Sequence, residues 1–122
     1  MTTYIPPRLR NIVIERAKAS CEYCLVHEDY AVLVHEIDHV IATKHGGETL
    51  DANLAYACAQ CNRFKGSDIA SVDPETGEIV PLFNPRIDSW SNHFVLDGPV
   101  ISPLTAVARA TERLLQLNQI DR

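Results

Sequence analysis

The sequence predicts an α+β fold, with a small strand–loop–strand–helix core, a helix before it and a hairpin-plus-helix extension after it. Three observations predict this architecture. All four cysteines fall into two CxxC pairs, Cys21-x-x-Cys24 and Cys58-x-x-Cys61. Two runs typical of strands lie between the pairs, and a helical pattern follows the second pair. We expect residues 1–122 to form one domain, with its core at about 16–68 and the extension at about 69–122.

The elements of the predicted core follow from local signals. Pro6-Pro7 suits the first turn of a helix, and the apolar spacing after it predicts about 12 helical residues ending near Ser20. Residues 31–38 are rich in β-branched side chains and predict a strand, and Gly46-Gly47 marks a turn before a second strand at residues 53–57. Residues 59–69 predict a helix that is shortened or bent at Gly66.

The extension is predicted to contain two hairpins and a helix. Residues 72–80 flank a tight turn with apolar residues, and residues 94–101 repeat the pattern around Asp97-Gly98. Ser102-Pro103 then predicts a helix start, with serine as the cap and proline in the first position. Its apolar stripe ends before Asp121. We expect the extension to pack against the core or to form an interface, because it carries no recognisable catalytic or binding motif.

The two CxxC pairs predict a structural zinc site. Thiolates of Cys21, Cys24, Cys58 and Cys61 can close a tetrahedron around Zn²⁺, and closed sites of this kind are structural rather than catalytic. Two disulfides would need an oxidising compartment, yet residues 1–7 lack the features of a secretion signal. A thioredoxin-like redox site usually has one such pair. We therefore expect a cytoplasmic protein with reduced thiols, and no apolar run is long enough to predict a membrane span.

The charge distribution gives a weak indication of a partner. A net charge of −5 is unusual for a general nucleic-acid binder. Basic residues nevertheless lie beside both cysteine pairs, which makes phosphate contacts plausible for Arg16, Lys18, Arg63 and Lys65. A solvated helix face explains the same residues about equally well.

The segment from about Arg16 to Gly66 resembles the HNH endonucleases, a family with a zinc-stabilised ββα-metal fold in this subgroup. The resemblance rests on Cys21-x-x-Cys24, Ile37-Asp-His-Val-Ile41, Gly46-Gly47, Asn53-Leu54, Cys58-x-x-Cys61-Asn62 and Lys65-Gly66. The third motif position holds Asn62 where many members have histidine, a variant also seen in the nuclease domains of CRISPR effectors.

The resemblance implies roles for four residues. The family residue matching His39 is the general base that activates water, and those matching Asp38 and Asn62 bind the catalytic divalent metal. The one matching Asn53 braces the loop between the strands. The expected reaction is hydrolysis of DNA phosphodiester bonds that leaves a 5′-phosphate.

The residue types suit that chemistry on their own. A neutral imidazole can deprotonate water, and a cation offsets charge on the phosphate and the leaving oxygen. The carboxylate of Asp38 and the amide carbonyl of Asn62 are hard ligands, which suit Mg²⁺ or Mn²⁺ better than Zn²⁺. Adjacent strand residues point to opposite faces. Asp38 and His39 can therefore serve one phosphate only if the strand ends or bends there, and we expect it to stop within a residue or two of His39.

Simpler explanations exist for each residue taken alone. His39 could be a polar residue at a strand end, Asp38 could cap a turn, and Asn62 could simply lie in the first turn of a helix. Their joint occurrence between the cysteine pairs favours a metal-dependent endonuclease that cuts or nicks DNA. The alternatives are a non-catalytic zinc-dependent nucleic-acid-binding module and an interaction protein that uses its C-terminal helix.

Overall fold

The computed structural model describes residues 4–119. Its helices and strands, in chain order, are α1 (Pro7–Ala17), β1 (Glu36–His39), β2 (Leu54–Ala57), α2 (Ala59–Lys65), β3 (Ala70–Val72), β4 (Ile79–Pro81), α3 (Trp90–His93), β5 (Phe94–Asp97), β6 (Val100–Pro103) and α4 (Ala106–Leu115). The strands form three antiparallel pairs, β1–β2, β3–β4 and β5–β6. This mixture of helices and short strands confirms the predicted α+β class. None of the helices within residues 4–119 is long and apolar enough to cross a bilayer.

The ββα core has the predicted order, and its helix ends where the sequence indicates. In the register of β1 with β2, Glu36 pairs with Ala57 and His39 with Leu54. Helix α2 follows β2 after a single residue, and it ends at Lys65 because Gly66 turns the chain with a φ of 53°. Strand β1 ends at His39, which confirms the predicted stop.

The first strand is shorter than predicted. The sequence predicts residues 31–38, but β1 begins only at Glu36. Strand β2 has four residues and is followed at once by the second cysteine pair, so it offers pairing partners for four residues only. The side chains of Val32 and Val34 are consequently 101% and 86% exposed. β-branched residues favour a strand only where a neighbouring strand is present to pair with them.

The last helix begins later than predicted. Ser102 and Pro103 belong to β6, where Pro103 pairs with Phe94. Thr105 caps α4 instead, and its Oγ1 accepts a hydrogen bond of 3.1 Å from the backbone N–H of Ala108. The helix ends at Leu115, well before Asp121, which lies outside the described residues. The short helix α3 was not predicted.

The extension packs against the ββα core around one hydrophobic cluster. Buried Cys21 and Cys61 share this cluster with Phe83, Phe94 and Leu115. A bidentate ion pair between Arg109 of α4 and the buried Asp73, with both N–O distances at 2.9 Å, also ties α4 to the β3–β4 hairpin. The extension therefore closes the side of the core that carries the cysteines.

Candidate active site

The four cysteines come together at one end of the ββα core. Their sulfur atoms all lie within 4.8 Å of one another, and the sulfurs of Cys24 and Cys58 are 3.7 Å apart. Zn–S bonds of about 2.3 Å in a tetrahedron put neighbouring sulfurs about 3.8 Å apart. The backbone N–H groups of Tyr23 and Cys24 donate to the sulfur of Cys21, each at 3.4 Å, and that of Cys61 donates to Cys58. The predicted tetrad therefore fits a structural zinc ion.

The thiol groups of the tetrad shift one another's pKa values. A hydrogen bond with Cys21 is the main cause that lowers the pKa of Cys24, to about 6, and the same partner lowers the pKa of Cys58 far below its usual range. Burial raises the pKa of Cys21. Contacts within the tetrad thus favour the thiolate form of Cys24 and Cys58, and thiolate is the form that binds metal.

A cavity of about 500 Å³ opens beside β1 and α2. Three of the predicted catalytic residues, Asp38, His39 and Asn62, line it together. Glu36 of β1 and Arg10 of α1 also line it, and neither was predicted as a site residue. An imidazole, two carboxylates, an amide and a cationic side chain therefore share one concave surface.

His39 is half-buried at the end of β1, and a residue of the following loop contacts its ring. The Nε2 atom of His39 is hydrogen-bonded to the hydroxyl of Thr49 at 2.9 Å. When Nε2–H donates in this bond, Nδ1 is the unprotonated nitrogen that can accept a proton from water. Thr49 was not identified in the sequence, because no motif or periodicity links it to a residue ten positions away.

Asn53 lies outside the cavity and ties together the loop that carries Thr49. Its Oδ1 accepts from the N–H of Ile41 at 2.9 Å, and its Nδ2 donates to the carbonyls of Ile41 and Glu48 at 3.0 and 2.9 Å. The loop passes so close to itself that a Cβ on Gly47 would lie 1.7 Å from the carbonyl oxygen of Ile41. These contacts are the ones a loop brace would make.

Asp38 is only 4% exposed, and both of its carboxylate oxygens contact protein groups. The hydroxyl of Tyr23 donates to Oδ2 at 2.7 Å, and the ammonium of Lys65 lies 3.2 and 3.3 Å from Oδ2 and Oδ1. Lys65 also donates to the carbonyl of His39 at 3.2 Å. Burial raises the pKa of Asp38, and the nearby Lys65 and Tyr23 oppose that shift. The carboxylate is thus held in a buried ion pair at the end of β1.

Asn62 contacts a different carboxylate. Its Nδ2 donates to Oε1 of Glu36 at 2.6 Å, across the gap between α2 and β1. Glu36 precedes Asp38 by two residues, so both side chains lie on the same face of β1. That period-two spacing is the signal from which Glu36 could have been identified in the sequence.

The four basic residues predicted to contact nucleic acid occupy different environments. Lys18 and Arg63 are exposed. Arg16 is also exposed, but its guanidinium donates to the backbone carbonyl of Leu54 at 2.7 Å. Lys65 is only 2% exposed, so it does not lie on the surface where the sequence placed it. Helix α2 turns this side chain toward β1, where it neutralises a buried carboxylate.

Comparison with known proteins finds similarity to a known family in the central segment. Residues 21–68 match the family model of the HNH endonucleases. Septu protein PtuB from Bacillus thuringiensis is 25% identical over 118 residues, which cover 95% of this chain and 43% of that protein. The chain thus spans less than half the length of this relative. No solved structure matches the chain.

Proposed function

We propose that this chain, which carries an HNH domain at residues 21–68, is a metal-dependent endonuclease that hydrolyses phosphodiester bonds in DNA. The observation that supports this proposal most strongly is that one cavity is lined by His39, Asp38 and Asn62 together. An imidazole and hard oxygen donors on one surface are the groups that phosphodiester hydrolysis requires. Asn62 lies 23 residues after His39 in the sequence, and the packing of α2 against β1 brings it to the same cavity.

In the proposed reaction, His39 acts as the general base. Its Nδ1 takes a proton from a water molecule in the cavity, while the hydrogen bond from Nε2 to Thr49 keeps the ring in place. The contacts of Asn53 hold the loop on which Thr49 lies. Arg10 lines the same cavity and supplies a positive charge that favours binding of the phosphate backbone.

The same site would hold a divalent cation between α2 and β1, with the amide oxygen of Asn62 as one ligand. Oxygen donors favour Mg²⁺ or Mn²⁺. When bound, such an ion would offset the negative charge on the phosphate and on the leaving oxygen. The cysteine tetrad would hold a separate structural zinc, which joins the first cysteine pair to the start of α2.

A second candidate function is a zinc-dependent nucleic-acid-binding module without catalytic activity. The observation that favours it is the ion pair between Asp38 and Lys65, since a carboxylate bound to a buried ammonium is not free to bind metal. The base His39 and the pair Glu36–Asn62 are not needed for binding alone, so the nuclease is the better-supported proposal.

Nicking of supercoiled plasmid tests the proposal directly. Zinc-loaded protein is incubated with plasmid in the presence of Mg²⁺, Mn²⁺ or EDTA, and nicking should require a divalent ion. His39→Ala should slow nicking by about 10²–10⁴-fold, the usual contribution of a general base, with DNA binding retained. His27→Ala is the matched control, because His27 does not line the cavity. Nicking that survives EDTA, or no nicking with any metal, would overturn the mechanism.

A further inference from the structure

We propose that His45 is a positioning residue of the candidate active site, because it holds the tip of the loop between β1 and β2 against the chain that follows α2. This inference rests on the proposed nuclease function, since the same loop carries Thr49, the partner of the proposed general base His39. His45 itself does not line the cavity. It therefore acts through the loop and not by touching the substrate.

The contact that carries the inference joins two segments that line the cavity. Ala42 and Thr43 of the loop are lining residues. Gly66 and Ser67, directly after α2, are lining residues as well. The Nε2 atom of His45 is hydrogen-bonded to the backbone carbonyl of Ser67 at 3.1 Å. A carbonyl oxygen only accepts, so Nε2 carries the proton and donates it to this bond.

His45 belongs to the same short turn as the lining residues of the loop. Thr43–His45 form one 3₁₀ turn. The backbone N–H groups of His45 and Gly47 donate to the carbonyl of Ala42 at 2.9 and 3.1 Å, and the N–H of Gly46 donates to that of Thr43 at 3.0 Å. Because these bonds hold the turn as a unit, a restraint on the side chain of His45 also restrains the lining residues.

The contacts of Asn53 order the loop in a different way. They join Asn53 to the backbone of Ile41 and Glu48, which are residues of the loop itself. They fix the shape of the loop, but they do not hold its tip against α2. Within residues 4–119, the bond from His45 to Ser67 is the hydrogen bond that joins this loop to α2 or to the residues directly after it.

The position of the loop tip matters for the proposed reaction. Thr49 lies on this loop, and its hydroxyl is 2.9 Å from Nε2 of His39. A displaced loop would move Thr49 and leave the imidazole without its partner, and misplacement of a reacting group by about 1 Å can cost about 10²-fold in rate. Water can replace part of an exposed hydrogen bond, so we expect a smaller loss, of about three- to tenfold, when the bond from His45 is removed.

A pair of substitutions in the zinc-loaded full chain tests this inference. His45→Ala removes the donor, and it should lower kcat for plasmid nicking by about three- to tenfold with KM nearly unchanged. His45→Gln keeps an N–H donor at the end of a side chain of similar reach, and it should retain most of the wild-type rate. His27→Ala is the matched control, because His27 does not line the cavity and contacts neither the loop nor Ser67.

Hydrogen exchange of backbone amides, measured by NMR without DNA or divalent metal, gives a readout that does not depend on activity. In His45→Ala, the N–H groups of Gly46 and Gly47 should exchange about three- to tenfold faster, because the turn opens more often. In His45→Gln they should exchange at nearly the wild-type rate. The melting temperature should stay close to that of the wild type in both variants, because His45 is exposed.

The outcomes separate this inference from the proposed function. If the wild type nicks plasmid and His45→Ala matches it in kcat or in amide exchange, the role of His45 is wrong and the nuclease function stands. A raised KM with unchanged kcat would make His45 a DNA contact and would also overturn the inference. If the wild type does not nick DNA, the proposed function fails, and amide exchange still decides whether His45 holds the loop.

Discussion

Replacing Lys65 by methionine is the most direct test of the buried ion pair beneath the candidate active site. The substitution keeps an unbranched side chain of similar length but removes the ammonium that lies 3.2 and 3.3 Å from the oxygens of Asp38 and 3.2 Å from the carbonyl of His39. The carboxylate of Asp38, 4% exposed, then keeps only the hydroxyl of Tyr23 as a donor among the contacts described.

The expected loss of stability is large for a single substitution. Removing one partner of a buried ion pair typically costs about 3–5 kcal/mol, because the other charge stays buried without compensation. A chain of 122 residues has an expected free energy of unfolding of about 6–18 kcal/mol. With a urea m-value of about 2 kcal/mol/M, the unfolding midpoint of Lys65→Met should fall by roughly 2 M.

Urea unfolding of the zinc-loaded protein, followed by circular dichroism, measures this shift. Arg63→Met is the matched control, because Arg63 lies on the same helix with its side chain exposed, and it should change stability by less than about 0.5 kcal/mol. The double variant Asp38→Asn with Lys65→Met removes both charges and keeps an oxygen that can accept from the hydroxyl of Tyr23, so it should recover part of the loss. A Lys65→Met protein within about 1 kcal/mol of the wild type would refute the reasoning.

Three further predictions follow from other contacts. Cys21→Ser should reduce bound zinc, measured by atomic absorption, and lower the melting temperature, because structural zinc supplies folding free energy; one zinc per chain with unchanged stability would contradict the shared site. Thr49→Val should lower kcat for plasmid nicking by about tenfold with little change in KM, because His39 loses the hydroxyl that orients its ring. Thr49→Ser keeps a hydroxyl at this position and should retain most of the wild-type rate. The hydrogen bond with Arg109 lowers the pKa of Asp73 well below its usual range. The charged carboxylate therefore stabilises the fold at pH values above its unfolded pKa of about 3.9. That stabilisation disappears as the pH falls toward the lowered pKa of the folded state. Asp73→Asn should therefore be less stable than the wild type at pH 7, with a difference that shrinks in urea titrations at successively lower pH; a difference that stays constant with pH would contradict this assignment.

The cysteine tetrad and the order of the core elements could be predicted from the sequence because their signals are local. A CxxC pair places two thiols on one short turn, and the spacing of Cys21 and Cys58 from their partners is visible without knowledge of the fold. Gly66 ends α2 through its own backbone conformation, with a φ of 53°. The turn residues of both hairpins act in the same local way, and both hairpins formed where they were predicted.

Tertiary structure alone decided which side chains meet. Helix α2 has seven residues, too few for a periodic pattern to reveal that Asn62 faces the cavity while Lys65 points into the core. Strand β1 begins only at Glu36, opposite the last residue of β2, and a propensity read from residues 31–38 cannot show this. The contacts of Glu36 with Asn62 and of Asp38 with Lys65 join residues 26 and 27 positions apart. The partner of a carboxylate depends on how a strand and a helix pack, and that packing is the result of contacts distant in the chain.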